Sequence, residues 1–125
     1  MRIAILSDVH GNPIALDAVL DDAARMGVEG YWVLGDHAAI GYDPIAVLER
    51  LSKLPDAVFV RGNTDRYVVT GQGPSPTREE ARANPELVDT VADTSASFAW
   101  TRGAITARGW FDWLAGLPME SRVPL

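Results

Sequence analysis

Three short apolar runs constrain this chain more than any other feature: residues 2–7 (RIAILS), 31–34 (YWVL) and 57–60 (AVFV). Each is strand-like in length and composition, and each runs into a polar cluster. Two stretches with helical spacing separate them. Asn12 and Pro13 open the first and Gly27 closes it, with Ile14, Leu16, Val19, Leu20 and Ala23 along one face. Asp43 and Pro44 open the second, Ile45, Val47, Leu48 and Leu51 face inward, and Pro55 closes it. The order β-α-β-α-β predicts an α/β fold with a parallel sheet covered by helices on both faces, joined by right-handed crossovers.

The second half changes character. Residues 71–76 (GQGPSP) read as a turn-rich loop. Asn84 and Pro85 predict a third helix carrying Leu87, Val88, Val91 and Phe98, ended or bent at Gly103. Thr106 is the expected cap of a fourth helix with Trp110, Trp113, Leu114 and Leu117 in a stripe, stopped by Pro118. The four tryptophans, Trp32, Trp100, Trp110 and Trp113, are expected in the core or between helices. Residues 119–125 read as the approach to another strand.

Composition narrows the function classes. The 125 residues suit one domain, and no apolar run approaches the ~20 residues that span a bilayer. There is no cysteine, which removes disulfides and thiolate metal sites; a cytoplasmic protein is the expectation. Seventeen acidic residues against 11 Lys plus Arg give a net charge of -6, which argues against a broad nucleic-acid footprint. A phosphate substrate is still compatible, because a bound cation supplies local positive charge that the count omits.

The polar clusters concentrate the chemistry: Ser7-Asp8-Val9-His10-Gly11-Asn12, Gly35-Asp36-His37, and Arg61-Gly62-Asn63-Thr64-Asp65. Parallel strands bring all three to the carboxyl edge of the sheet, where open α/β sheets bind ligands. Asp8 and His10, one residue apart, point the same way if the segment is extended. Asp36 has two oxygens and can bridge two cations; Asn63 adds a neutral carbonyl oxygen. Such mixed N/O donors suit Mn, Fe, Zn, Ni or Co. Two cations roughly 3.5–4 Å apart would clamp a phosphoryl group and activate a water. Each residue also has an ordinary reading as a turn or cap residue, and it is their coincidence at three strand ends that favours a site. Asp65 is expected to support the Asn63 loop, and Asn12 to stand behind the ligands as well as capping its helix. His37 reads either as a ligand beside Asp36 or as a solvent-facing loop residue. Arg61 and Arg66 could meet phosphate oxygens or serve in surface ion pairs.

In order and spacing, Asp8-Val9-His10, Gly35-Asp36 and Gly62-Asn63-Thr64-Asp65 resemble the first three motifs of the calcineurin-like metallophosphoesterase superfamily: D-x-H, G-D and G-N-x-D. The resemblance is strong over residues 1–70 and weaker to 117, where the helices resemble an insertion (71–118) of a bacterial branch. It implies a β-sandwich flanked by helices and two divalent metal ions (Mn, Fe, Ni, Zn, Co or Mg). Asp8 and His10 would hold the first metal, Asp36 would bridge, and Asn63 would hold the second and meet substrate. It also implies hydrolysis of small phosphate esters by a metal-bound water or hydroxide.

Two departures qualify these expectations. Many members carry a histidine where this chain has Thr64, and the G-N-x-D form resembles small bacterial phosphodiesterases that lack it. Diesters are therefore the expected substrates, with His37 a speculative replacement for the missing acid. The family's later histidine motifs have no counterpart, since both histidines lie at or before position 37. The chain thus reads as the N-terminal part of a longer phosphoesterase, with an unpaired sheet edge that makes self-association an expectation. The competing reading is a truncated or degenerate member without catalysis, a weak metal-binding or association module.

Overall fold

A computed structural model describes residues 1–124; Leu125 lies outside the described residues. Three strands, β1 (Ile3–Leu6), β2 (Gly30–Val33) and β3 (Ala57–Phe59), form one parallel sheet in the order β1-β2-β3. Ile5 pairs with Trp32 and Trp32 with Val58, while Leu6 pairs with Val33 and Val33 with Phe59. The crossovers are α1 (Pro13–Arg25) and α2 (Pro44–Leu51). Their starts are built as the sequence predicts. Asn12 accepts from the Ala15 N–H at 3.1 Å and Asp43 from the Ala46 N–H at 3.0 Å, each followed by a proline that has no N–H to satisfy.

Both crossover helices pack on one face of the sheet, which corrects the expectation of cover on both faces. Leu16 and Ala23 of α1 and Val47 and Leu51 of α2 join Tyr31 and Val33 in a single buried cluster. The reason is geometric: strands laid down in one direction, with crossovers of one hand, put successive helices on the same side. The register places Ile3, Ile5, Trp32 and Val58 on the opposite face, where Ile5 is 61% exposed. An Asp17–Arg50 ion pair ties the outer surfaces of the two helices, with Nε to Oδ1 at 2.5 Å and a second bond at 2.9 Å.

The rest of the described chain is helical: α3 (Asn63–Thr70), α4 (Arg78–Ala83), a 3-10 turn (Pro85–Leu87), α5 (Val88–Ala107) and α6 (Phe111–Ala115). It forms a second core in which Ala38, Ala39, Leu48, Val68, Phe98, Ile105 and Leu114 are buried together. Several expectations are corrected here. α3 begins inside the third polar cluster, at Asn63, and α4 forms between the loop of residues 71–76 and Asn84, where no element is expected. α4 is started by a capping box in which the Glu80 N–H bonds Thr77 and the Thr77 N–H bonds Glu80. Asn84 caps the 3-10 turn rather than a long helix. α5 passes through Gly103 unbroken, and the Thr106 hydroxyl bonds the Arg102 carbonyl inside α5 instead of capping α6. One glycine costs a helix only about 1 kcal/mol, which burial of Phe98, Thr101 and Ile105 on the same helix outweighs. Trp110 and Trp113 pack edge to face at 5.8 Å, but Trp100 is 53% exposed. Residues 119–124 form no strand. Among the described residues no helix is long and apolar enough to cross a membrane.

Two substitutions test this packing. Gly103 is exposed and a Cβ there would meet nothing within 4 Å, so Gly103→Ala should raise unfolding stability by about 0.5–1 kcal/mol. Leu48→Ala, at a fully buried position of α2, should lower it by about 2–5 kcal/mol, read from urea midpoints at constant slope.

Candidate metal centre

The β1–β2 ladder does not stop where the strands end. Leu34 donates to Leu6 at 2.8 Å, Asp8 to Gly35 at 3.2 Å, His10 to Asp36 at 2.9 Å and Gly11 to His37 at 2.9 Å, all through backbone N–H groups. This zipper carries the first polar cluster along the second. The third is drawn in where Gly35 backs onto Gly62. A Cβ on either would collide with backbone of the other segment, and Gly35 has φ 99°, so glycine is required there twice over.

The result is a tight group of donors. One ligand atom from each of Asp8, His10 and Asp36 lies within 4.8 Å of the others. Asp8 Oδ1 and His10 Nε2 are 3.4 Å apart. The segment does not achieve this by being extended. Asp8, His10 and Asp36 all have left-handed backbone, with φ of 58°, 47° and 57°. Non-glycine residues rarely sit there, and the strain concentrates at functional sites where surrounding bonds enforce it.

Each donor is oriented by a second contact. His10 Nδ1 donates to the Ala39 carbonyl at 3.1 Å, which leaves Nε2 as the ligand atom. The Ser7 hydroxyl donates to Asp8 Oδ2 at 2.5 Å. That bond, opposed by burial and assisted by the neighbouring His10, holds the Asp8 carboxyl below the usual carboxylate range. Asp36 Oδ1 accepts two bonds from Thr64, from its N–H at 2.9 Å and its hydroxyl at 2.7 Å. Two carboxylates crowded together with an imidazole nitrogen between outer anchors form a hard O/N donor set that fits a divalent cation, and a cation relieves the repulsion between the acids. Asn63 opens α3 beside Thr64 and is exposed at the same edge.

Other expected site residues take different places. Asp65 is fully buried. It accepts from Gly62 N–H at 2.9 Å, Asp36 N–H at 2.9 Å, His37 N–H at 3.0 Å and His37 Nδ1 at 2.8 Å. Burial opposes its charge, but the His37 ring and the Gly62 and His37 amides prevail and hold its pKa below the ordinary value. His37 is buried too, against Phe59 and Trp113, with Nε2 unpartnered. It is a loop residue as expected but a buried one, which corrects its readings as solvent-facing and as a replacement acid open to substrate. The Asn12 side-chain oxygen caps α1 as expected, and the outer contacts on the three donors come from Ser7, Ala39 and Thr64. The Arg61 side chain lies against Met119, and Arg66 bonds Gln72 over the Tyr67 ring. Neither arginine is in an ion pair with an acid among the described residues.

Asp65 gives the sharpest test of this assembly. Asp65→Ala would strip an acceptor from four donors, three of them backbone, and should lower stability by about 3–5 kcal/mol in urea unfolding. Asp65→Asn should also destabilise, because its amide turns a donor toward N–H groups that already donate.

Comparisons with known proteins bear on the family. A family model described as the calcineurin-like phosphoesterase superfamily domain matches residues 1–107. An uncharacterized protein of Methanocaldococcus jannaschii is 39% identical over 70 residues, 56% of this chain and 28% of that protein. Phosphodiesterase YfcE of Escherichia coli is 36% identical over 77 aligned residues, covering 54% of this chain and 42% of YfcE. The crystal structure of a metallophosphoesterase from Sphaerobacter thermophilus matches with a TM-score of 0.70 at 31% identity, over 98% of this chain and 44% of that one. The chain therefore spans less than half the length of each of these relatives. With the family's domain matched over most of its residues and its first three motifs gathered at one sheet edge, the chain belongs to the calcineurin-like phosphoesterase superfamily.

Proposed function

We propose that this edge holds divalent cations and serves the hydrolysis of small phosphate esters, phosphodiesters foremost. The observation that carries the reading is the approach of Asp8, His10 and Asp36 ligand atoms to within 4.8 Å of one another, each with an outer contact that orients it. Asp8 and His10 would hold one cation, Asp36 would be shared, and Asn63 would serve a second. The cations would be Mn, Fe, Ni, Zn, Co or Mg, and would neutralise phosphate charge and make a bound water nucleophilic near neutral pH.

The chain's own residues support the preference for diesters. Among the described residues, His10 is the one histidine whose ring reaches solvent, and its Nε2 belongs to the donor set. Thr64 is turned into Asp36, and its hydroxyl is no acid near neutral pH. Among the described residues no other side chain is placed to protonate a leaving group, which supports diesters with weakly basic leaving groups. The phosphodiesterase named among the relatives accords with this. The helices over 71–118 pack on α2 and α3, which supports reading them as an appendage to the β-α-β-α-β unit that builds the site.

The test follows release of p-nitrophenol from bis-p-nitrophenyl phosphate with added Mn²⁺, beside the monoester p-nitrophenyl phosphate. Metal-dependent turnover, faster on the diester, abolished by chelator and reduced about 100-fold or more in Asp36→Asn, is the expected result. Diester turnover that survives chelation, or near-normal turnover and metal content in Asp36→Asn, would overturn the reading.

A further inference from the structure

Asp36 stands out among the three clustered donors because one of its two oxygens is already committed. Oδ1 accepts both the N–H of Thr64 at 2.9 Å and its hydroxyl at 2.7 Å. Two donors satisfy the two in-plane lone pairs of a carboxylate oxygen, so Oδ1 has no further strong direction to offer. Oδ2 is left. The surroundings leave the side chain little freedom to exchange the two. The Asp36 backbone is held left-handed, its N–H is bonded to Asp65, and Gly62 packs so closely on the carboxylate that a Cβ there would overlap it. Thr64 itself is 7% exposed, too buried for its hydroxyl to be a surface accident.

We infer that Thr64 is a positioning residue for the metal centre: its hydroxyl locks the Asp36 carboxylate so that Oδ2, and not Oδ1, is the oxygen presented to the cations Asp36 would share. The inference rests on the metal-binding reading above and adds a role that the sequence did not suggest for this position. The torsion that swings a carboxylate about its Cβ–Cγ bond is broad and soft. A backbone N–H alone marks one point on that arc. The hydroxyl adds a second donor on the same oxygen and fixes the plane. A carboxylate held in advance loses less freedom on binding a cation, and outer partners of metal ligands typically carry 10–100-fold in affinity. The Thr64 N–H survives any side-chain change, so the hydroxyl alone should account for the lower end of that range.

Mn²⁺ titration of the purified protein, followed by the electron paramagnetic resonance of free Mn²⁺, separates the possibilities. Thr64→Val keeps the side chain's shape and removes the donor; Thr64→Ser keeps the donor. The expectation is Mn²⁺ affinity about 10-fold weaker in T64V and unchanged in T64S, with a shifted visible absorption of the Co²⁺-loaded protein in T64V only. T64V binding Mn²⁺ as tightly as the unaltered protein, or T64S binding as weakly as T64V, would overturn the inference. Asp36→Asn is the control for the underlying reading: if its affinity matched the unaltered protein's, the metal centre itself would be misplaced, a different result from either of these. Should T64V lose its helical circular dichroism, T64A removes the same donor without the added methyl and carries the same expectation and the same overturning result.

Discussion

A single buried carboxylate holds together the sheet edge that carries the donors. Asp65 collects the N–H groups of Gly62, Asp36 and His37 and the His37 ring nitrogen. Three of those donors are backbone, so the acid fixes the course of the chain and not only a side chain. It joins the segment after β2 to the first turn of α3, past the β2–β3 ladder bond from the Val60 N–H to the Val33 carbonyl. An ionised carboxylate is costly to bury, and four donors are what make it tolerable. Its lowered pKa expresses the same balance, with the hydrogen bonds outweighing the burial that opposes charge.

The first turn of α3 then divides three tasks among three consecutive residues. Asn63 is exposed at the edge, Thr64 grips Asp36, and Asp65 anchors the loop behind it. Their side chains leave a helical turn about 100° apart, which lets one short segment send Asn63 to solvent, Thr64 to the Asp36 carboxylate and Asp65 to the loop behind it. The strained backbones of Asp8, His10 and Asp36 are tolerable because the extended β1–β2 ladder and this anchor determine them from several sides.

The rest of the fold serves that edge at a distance. α1 and α2 clamp one face of the sheet, and the later helices build a second core on α2 and α3 around Leu48, Val68, Ile105 and Leu114. Leu48 is shared with α2, so the two cores are linked through the helix that follows the Asp36 loop. The helical segment thereby braces the two elements that flank the donors, α2 and α3, without contributing a donor to the three-residue group.

Local patterns made much of this legible. Asn12-Pro13 and Asp43-Pro44 mark helix starts because a side-chain acceptor followed by a residue without an N–H is how a helix end satisfies itself, and the three apolar runs mark strands for similar local reasons. Strand order brings Asp8, His10 and Asp36 to one sheet edge, but left-handed backbone, not an extended segment, brings their ligand atoms together. Two helices, α3 and α4, differ in how far the sequence marks them. Thr77-x-x-Glu80 was a readable capping box, whereas α3 begins in residues whose polarity resembles a turn. The burial of His37, the left-handed backbones and the grip of Thr64 on Asp36 had no local signature. Sequence by itself determined which elements form and which residues reach the sheet edge, because caps, breakers and apolar spacing act over a few residues. Tertiary structure decided which oxygen faces outward and which histidine is sealed away, because those outcomes depend on hydrogen bonds between segments nearly thirty residues apart, such as Asp36 to Thr64 and His37 to Asp65.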